Sequence, residues 1–223
     1  MTVSMRVMSA GDGYKYLLRT VVAADGDRPL STPLTRYYME AGTPPGRWLG
    51  EGVGSLGAGE LVVGDVVSEA QLQLLMGMGR DPISGDPLGL AFPVYKTPAE
   101  RIESRIADLD PALSPGRKGE VVAQIVAEET ARGTRRAVAG FDFTFSIPKS
   151  ASVLWAVADA GVQALIGEAH HRAVAEVVAF MEREVAATRT GATVGDGAVA
   201  QVDVTGLIAT AFDHFDSRAG DPH

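Results

Sequence analysis

Few side chains in this sequence can do chemistry, and their types set limits before any element is placed. The 223 residues include four histidines and no cysteine. Disulfides, thiolate zinc sites and cysteine nucleophiles are therefore excluded, and any bound metal must be held by imidazole and carboxylate. The histidines are His170, His171, His214 and His223. Among the tyrosines, Tyr14 and Tyr16 lie two apart and Tyr37 and Tyr38 are adjacent. In Gly140-Phe141-Asp142-Phe143-Thr144-Phe145-Ser146, three phenylalanines alternate with Asp, Thr and Ser. Period two predicts a strand with an apolar face packed on the core and a polar face looking elsewhere. A lone carboxylate on that polar face, Asp142, is either a site residue or the partner of a nearby arginine. Thr144 and Ser146 share the face, as ligand-binding hydroxyls or as ordinary solvated strand polarity.

Other elements must position these groups. Residues 3–8 read as a short strand, after which Gly11 and Asp12 open a helix from about Gly13 to Ala24. On such a helix Tyr14 and Tyr16 point to different sides, so one of them faces any given site. Residues 25–35 are turn chemistry, and 42–59 form a Gly/Pro-rich loop that Trp48 anchors on the core. Ser68 with Gln71 makes a capping box for a helix to about Met76. A long loop spans 77–95. Thr97, Pro98 and Glu100 start a further helix, and another runs from about Pro115 to Ala131, stopped by Gly133. After the Phe-lined strand, Ser150 caps a helix carrying Val153, Leu154 and Trp155, and a long helix covers about Val162 to Ala187. There His170 and His171 sit about 100° apart, which sets them against sharing one ion. Strands near Val199–Val204 and Leu207–Phe215 close the pattern and place His214 in a strand. The order predicts an α+β fold with an antiparallel sheet.

Composition narrows the class further. Hydrophobic residues make up 46% and charged residues 22%, as in a globular protein. No run is apolar enough to span a membrane, and the first residues lack a leader pattern, so membrane insertion and export are not expected. The net charge of -8 counts against a nucleic-acid partner. The first fifty residues are nevertheless basic, with six Lys/Arg against four Asp/Glu. A nucleotide-binding ATPase is excluded by motif: no G-x-x-x-x-G-K-[ST] occurs, and Pro148-Lys149-Ser150 lacks the glycines that wrap a phosphate.

Four blocks carry a resemblance over nearly the whole chain. They are SAGDGYKYLLR behind the first strand, RYYMEAGTPPGRWLG, GFDFTFSIPKSASVLWAVAD at 140–159, and AFDHFDSRAGDPH at the end. In order and spacing they resemble the TrwC/TraI-type (MobF) conjugative relaxases. Those proteins carry early and later tyrosine pairs, a G-x-D-x-T-F-S-x-P-K-S-x-S strand, and an F-x-H-x-x-S-R-x-x-D-P-x stretch leading into an H-x-H pair.

The resemblance implies an HUH-endonuclease fold, a five-stranded antiparallel sheet flanked by helices. It also implies site- and strand-specific nicking of origin-of-transfer DNA. A tyrosine attacks a phosphodiester, keeps the 5′ phosphate, frees a 3′ hydroxyl, and later transfers the strand. Since a phenol titrates near 10, it needs a base or a metal-polarised phosphate. Tyr14 and Tyr16 match the first pair, and the Tyr-Lys-Tyr spacing here, in place of adjacent tyrosines, does not choose between them. Tyr37 and Tyr38 match the second pair, with aromatic packing under a loop as the alternative. Asp142 matches the strand aspartate that orients a metal-binding histidine or takes the tyrosine proton. Thr144, Ser146 and Lys149 are the candidate DNA contacts, and a lysine near a helix cap otherwise faces water. His214 matches the first of three histidine ligands for a divalent ion such as Mg²⁺ or Mn²⁺. His223 fills a variable position just before the H-x-H pair. Residues 1–223 are thus expected to form the N-terminal portion of one relaxase domain. With an incomplete metal site, that portion is expected to be inactive alone, and residues 96–136 read as a helical insertion. The implied partners are single-stranded or supercoiled origin DNA, relaxosome accessory proteins and a type IV secretion coupling protein, and the implied location is the cytoplasm. A non-catalytic DNA-binding module from a truncated or decayed relaxase is the alternative.

Overall fold

The computed structural model describes residues 1–18, 44–190 and 200–214, and it is a mixed assembly of helices and antiparallel strands. Strand β1 (Thr2–Ser9) pairs antiparallel with β3 (Val138–Ser146), the Phe-lined segment. The register sets Arg6 opposite Asp142, Ser4 opposite Thr144 and Thr2 opposite Ser146. Val7, Met5 and Val3 lie opposite Phe141, Phe143 and Phe145. Alternation therefore sorts the ladder into one polar and one apolar face, as period two requires. Strand β2 (Arg47–Leu49) pairs with β6 (Ala209–Ala211), and β4 (Ala187–Thr190) with β5 (Ala200–Asp203). Among the described residues the strands form three two-stranded ribbons rather than one five-stranded sheet.

The core gathers around the first of these ribbons at one end. Met8, Tyr14, Leu17, Trp48, Val53, Leu56, Leu61, Val67 and Leu72 form one buried cluster. It joins the end of β1, the 3-10 helix Asp12–Leu18, the turns of Glu51–Gly59 and helix α1 (Glu69–Leu72). Trp48 is 1% exposed, so the Gly/Pro-rich segment is anchored as its aromatic residue predicts. Short β2 inside that segment escapes a sequence reading, because three residues carry no usable period.

The expected helix starts are present at two caps. Ser68 and Gln71 form a capping box on α1, which continues as a π turn over Gln73–Gly77. Thr97 and Glu100 form another on α2 (Pro98–Ala107). Helix α3 (Pro115–Arg132) ends at Gly133. Glu129 binds Arg101 at 2.6 Å and Arg105 at 3.0 Å, which fastens α2 to α3 as a hairpin packed chiefly on itself. Helices α4 (Lys149–Val157) and α5 (Ala160–Glu184) follow β3, with Asp159 capping α5.

Four expectations need correction. The 3-10 geometry replaces the expected α-helix over the described residues 12–18. Pro148 rather than Ser150 precedes the first turn of α4, because its carbonyl already accepts from Ala151 and Ser152. His214 lies beyond β6, which ends at Ala211, rather than within a strand. The Phe-bearing face is not fully packed on the core: Phe141 is 54% exposed, Val7 opposite it is 60% exposed, and so is Met5 opposite Phe143. The buried cluster reaches the ladder only at Met8, which shares the face of Arg6 and Asp142, so no member of the cluster lies on the Phe-bearing face of the ladder.

Candidate active site

The site starts where β1 runs into the 3-10 helix. Ala10 N–H donates to Ala137 O at 2.9 Å, and Gly11 N–H to Gly77 O at 3.0 Å. These two bonds hold the helix start against the approach to β3 on one side and the end of the π turn after α1 on the other. With three residues per turn, side chains two apart face different directions. Tyr14 turns inward and is 2% exposed within the buried cluster, close to Gly77. Tyr16 turns outward, is 37% exposed, and hydrogen-bonds through its hydroxyl to the Asp142 carboxylate.

Electrostatics follow from that contact. Burial pushes the Tyr16 phenol well above its ordinary value, and the hydrogen bond and negative charge of Asp142 push it further. The Arg6 guanidinium, on the residue opposite Asp142, acts in the other direction by favouring a phenolate. The resting group is therefore a neutral phenol whose proton is already directed at a carboxylate. Arg6 is the member of this trio that sequence reasoning missed. Its parity along β1 matches Ser4 and Thr2, yet only the pairing register reveals its partner.

The remaining candidates are distributed around this pair. Thr144 and Ser146 lie exposed on the polar face of β3, successively farther from Asp142. Lys149 is exposed at the first residue of α4. His214 is exposed three residues past the end of β6. Its segment is held in two ways. Phe212 lies directly on Gly46, where a Cβ would stand 2.2 Å from the ring. Asp213 binds His171 Nε2 at 2.9 Å and 3.0 Å, a link from α5 that the sequence did not disclose. This bond, followed by the charge of Asp213, outweighs burial and raises the pKa of His171. Burial lowers that of His170, whose neighbour His171 adds to the effect. Tyr37, Tyr38 and His223 lie outside the described residues.

Among the described residues no three His, Cys, Asp or Glu side chains converge as a metal-binding group. His214 is a suitable imidazole donor, but the described residues do not by themselves fit a divalent ion. No helix among them is long and apolar enough to cross a membrane.

Comparison with known proteins bears on this arrangement. No curated protein matches the chain. A solved structure of the conjugative relaxase TrwC in complex with OriT DNA, metal-free, is 21% identical with a TM-score of 0.53. The match covers 99% of this chain and 52% of that one. A copper-bound structure of TrwC with OriT DNA is 22% identical with a TM-score of 0.54, covering 99% and 54%. The likeness is one of fold, and the chain spans about half the length of these relatives. A family model for the TrwC relaxase matches residues 10–223, and the chain belongs to the TrwC relaxase family.

Proposed function

We propose that this chain is the nucleophile-bearing part of a conjugative DNA relaxase, acting on origin-of-transfer DNA, and that Tyr16 is its first nucleophile. The observation that carries the reading is the hydrogen bond from Tyr16 to Asp142 beside Arg6. Tyr14, sealed in the core, would have to leave it to meet a phosphate.

The step follows from the trio. As a phosphodiester settles over Tyr16, the phenolic proton passes to the Asp142 carboxylate and Oη attacks phosphorus. The Oη–P bond forms, the bond from phosphorus to the 3′ oxygen breaks, and that oxygen leaves by taking up a proton. The product is a 5′-phosphotyrosyl link with a free 3′ hydroxyl. Because one phosphoester replaces another, the reverse attack by a 3′ hydroxyl reseals a strand without an external energy source. Arg6 offsets negative charge as it gathers on the attacking oxygen. Thr144, Ser146 and Lys149 are proposed to contact the strand along the polar face. His214 is proposed as an imidazole ligand for a divalent ion, whose role would be to polarise the phosphate. Tyr37 and Tyr38 are assigned a later strand transfer on motif alone. Accessory proteins and a coupling protein belong to the same proposal, as does a cytoplasmic setting.

The test is a nicking reaction with the protein expressed from its whole coding sequence. Supercoiled DNA carrying its own origin is incubated with it and Mg²⁺ or Mn²⁺. Nicked circles with covalently attached protein are expected. Retention of that DNA with no nicking under any divalent ion would overturn the catalytic reading and leave a DNA-binding module.

A further inference from the structure

A second feature lies at the start of the tyrosine-bearing helix. A concavity of about 390 Å³ is lined by Asp12, Phe92, Val94, Tyr95, Arg135 and Arg136, among others. That volume falls within the roughly 300–1,000 Å³ of sites that hold small organic ligands. The Arg135 guanidinium lies over the Tyr95 ring, 4.4 Å from its centroid, a cation–π stack that presents a flat ordered surface. Phe92 is seated on Gly79, where a Cβ would come within 3.3 Å of the ring. Both rings are half-buried, while Val94 at the rim is 98% exposed.

Charge distinguishes this place from the rest of an acidic chain. Residues 130–141 hold Arg132, Arg135 and Arg136 and no carboxylate. Among the described residues neither Arg135 nor Arg136 forms an ion pair with a carboxylate. Asp12, the one acid lining the concavity, is bound by Lys15 at 2.7 Å. Two guanidinium groups with no carboxylate partner among the described residues, beside two π-faces, match one class of ligand: a base that stacks, attached to a phosphate that pairs. Neither a bare anion nor an apolar peptide uses both halves.

We infer that this concavity is a subsite for a nucleotide of single-stranded DNA, with the base stacked at Tyr95, Phe92 and the Arg135 plane and the phosphate held by Arg136. The inference rests on the DNA-binding reading above and adds a place for the strand. That place adjoins Asp12, two residues before Tyr14 and four before Tyr16. The backbone bond from Ala10 to Ala137 ties it to the helix start. A strand anchored here is led toward the nucleophile, and because every base has a π-face the hold is tolerant of sequence.

The experiment measures binding of fluorescein-labelled oligothymidylate by anisotropy over a range of salt, using the 223-residue chain. Tyr95→Ala and Arg136→Ala should each weaken binding about tenfold, as loss of one stacked base or one phosphate contact implies. Tyr95→Phe, which keeps the π-face, should bind like the parent. Arg136→Ala should also flatten the salt dependence by about 0.7 in log–log slope. Arg117→Ala removes an equal charge at the opposite end of α3, roughly 25 Å away along an 18-residue helix. It should leave affinity unchanged. Since Arg136 is exposed, its variant keeps the test valid even where Tyr95→Ala fails to fold. Parent-like binding by Arg136→Ala, or equal losses in Arg117→Ala, would overturn the subsite and leave the relaxase reading intact. A parent chain that binds no single strand at any salt concentration would remove both.

Discussion

Tyr14 and Tyr16 are two residues apart and meet opposite surroundings, one sealed among Leu17, Trp48 and Leu72, the other facing Asp142. This contrast yields a prediction at the scale of single groups. At high pH Tyr16 should ionise above the ordinary phenol range, read in a spectrophotometric titration as the part of the tyrosinate signal that Tyr16→Phe removes. Asp142→Asn should bring it down only in part, because burial is the larger cause of its raised pKa. The same substitution should slow nicking by about 10²–10⁴, the usual contribution of a positioned base. Tyr16 also contributes stability below the ordinary phenol value that is lost as pH rises through its raised one. The sequence disclosed Asp142 because alternating phenylalanines isolate it on a polar face. It could not choose between the tyrosines, since either helical repeat turns them to different sides and only the packing of the helix decides which one meets Asp142. Nor could it supply Arg6, whose role comes from strand register.

Between elements, buried or half-buried carboxylates act as fasteners, and each has a measurable signature. Asp81 is 6% exposed and accepts from the N–H groups of Gly57, Ile83 and Ser84. Burial alone would raise its pKa, but these donors prevail and lower it. It therefore stabilises the fold above the ordinary aspartate range, and that support is lost as pH falls through the lowered value. Asp81→Ala should cost about 1–3 kcal/mol in urea unfolding, mainly from buried amides left without an acceptor. The link between His171 and Asp213 has the opposite sign. A raised imidazole pKa means support that is full below the ordinary histidine value and fades as pH rises through the raised one. Imidazole resonances should titrate later for His171 than for His170, and Asp213→Asn should narrow the gap. Arg47 works weakly against His171, and His171 itself holds His170 down. The helix starts were legible because Ser-x-x-Gln and Thr-Pro-x-Glu are local chemistry. These cross-element bonds were not, since Asp81 and Asp213 carry no motif that names a distant partner.

At the scale of the molecule, the structure has a compact cluster near β1, β2 and α1, and a helical hairpin, α2–α3, packed chiefly on itself. Leu72→Ala, at a fully buried position, should lower stability by about 2–5 kcal/mol through lost burial and a cavity. Trp48 fluorescence should report the loss, as its indole sits inside the same cluster. Glu129→Gln should loosen the hairpin, releasing Arg101 and Arg105, while leaving the Trp48 signal unchanged. The fold class was legible from the order of periods, and the family from four motif blocks. Two of the strands were not, because β2 and β4, of three and four residues, leave no pattern to read. Tyr16 as nucleophile is the claim on which the account turns, and trypsin separates the alternatives cleanly. Cleavage after Arg6, Lys15, Arg19 and Arg36 places Tyr14, Tyr16 and the Tyr37–Tyr38 pair on three different peptides. Mass spectrometry of the covalent adduct formed with a nuclease-trimmed origin strand should find the phosphonucleotide on the peptide beginning at Tyr16. An adduct on the peptide ending at Lys15, or on the one carrying Tyr37 and Tyr38, would contradict the account.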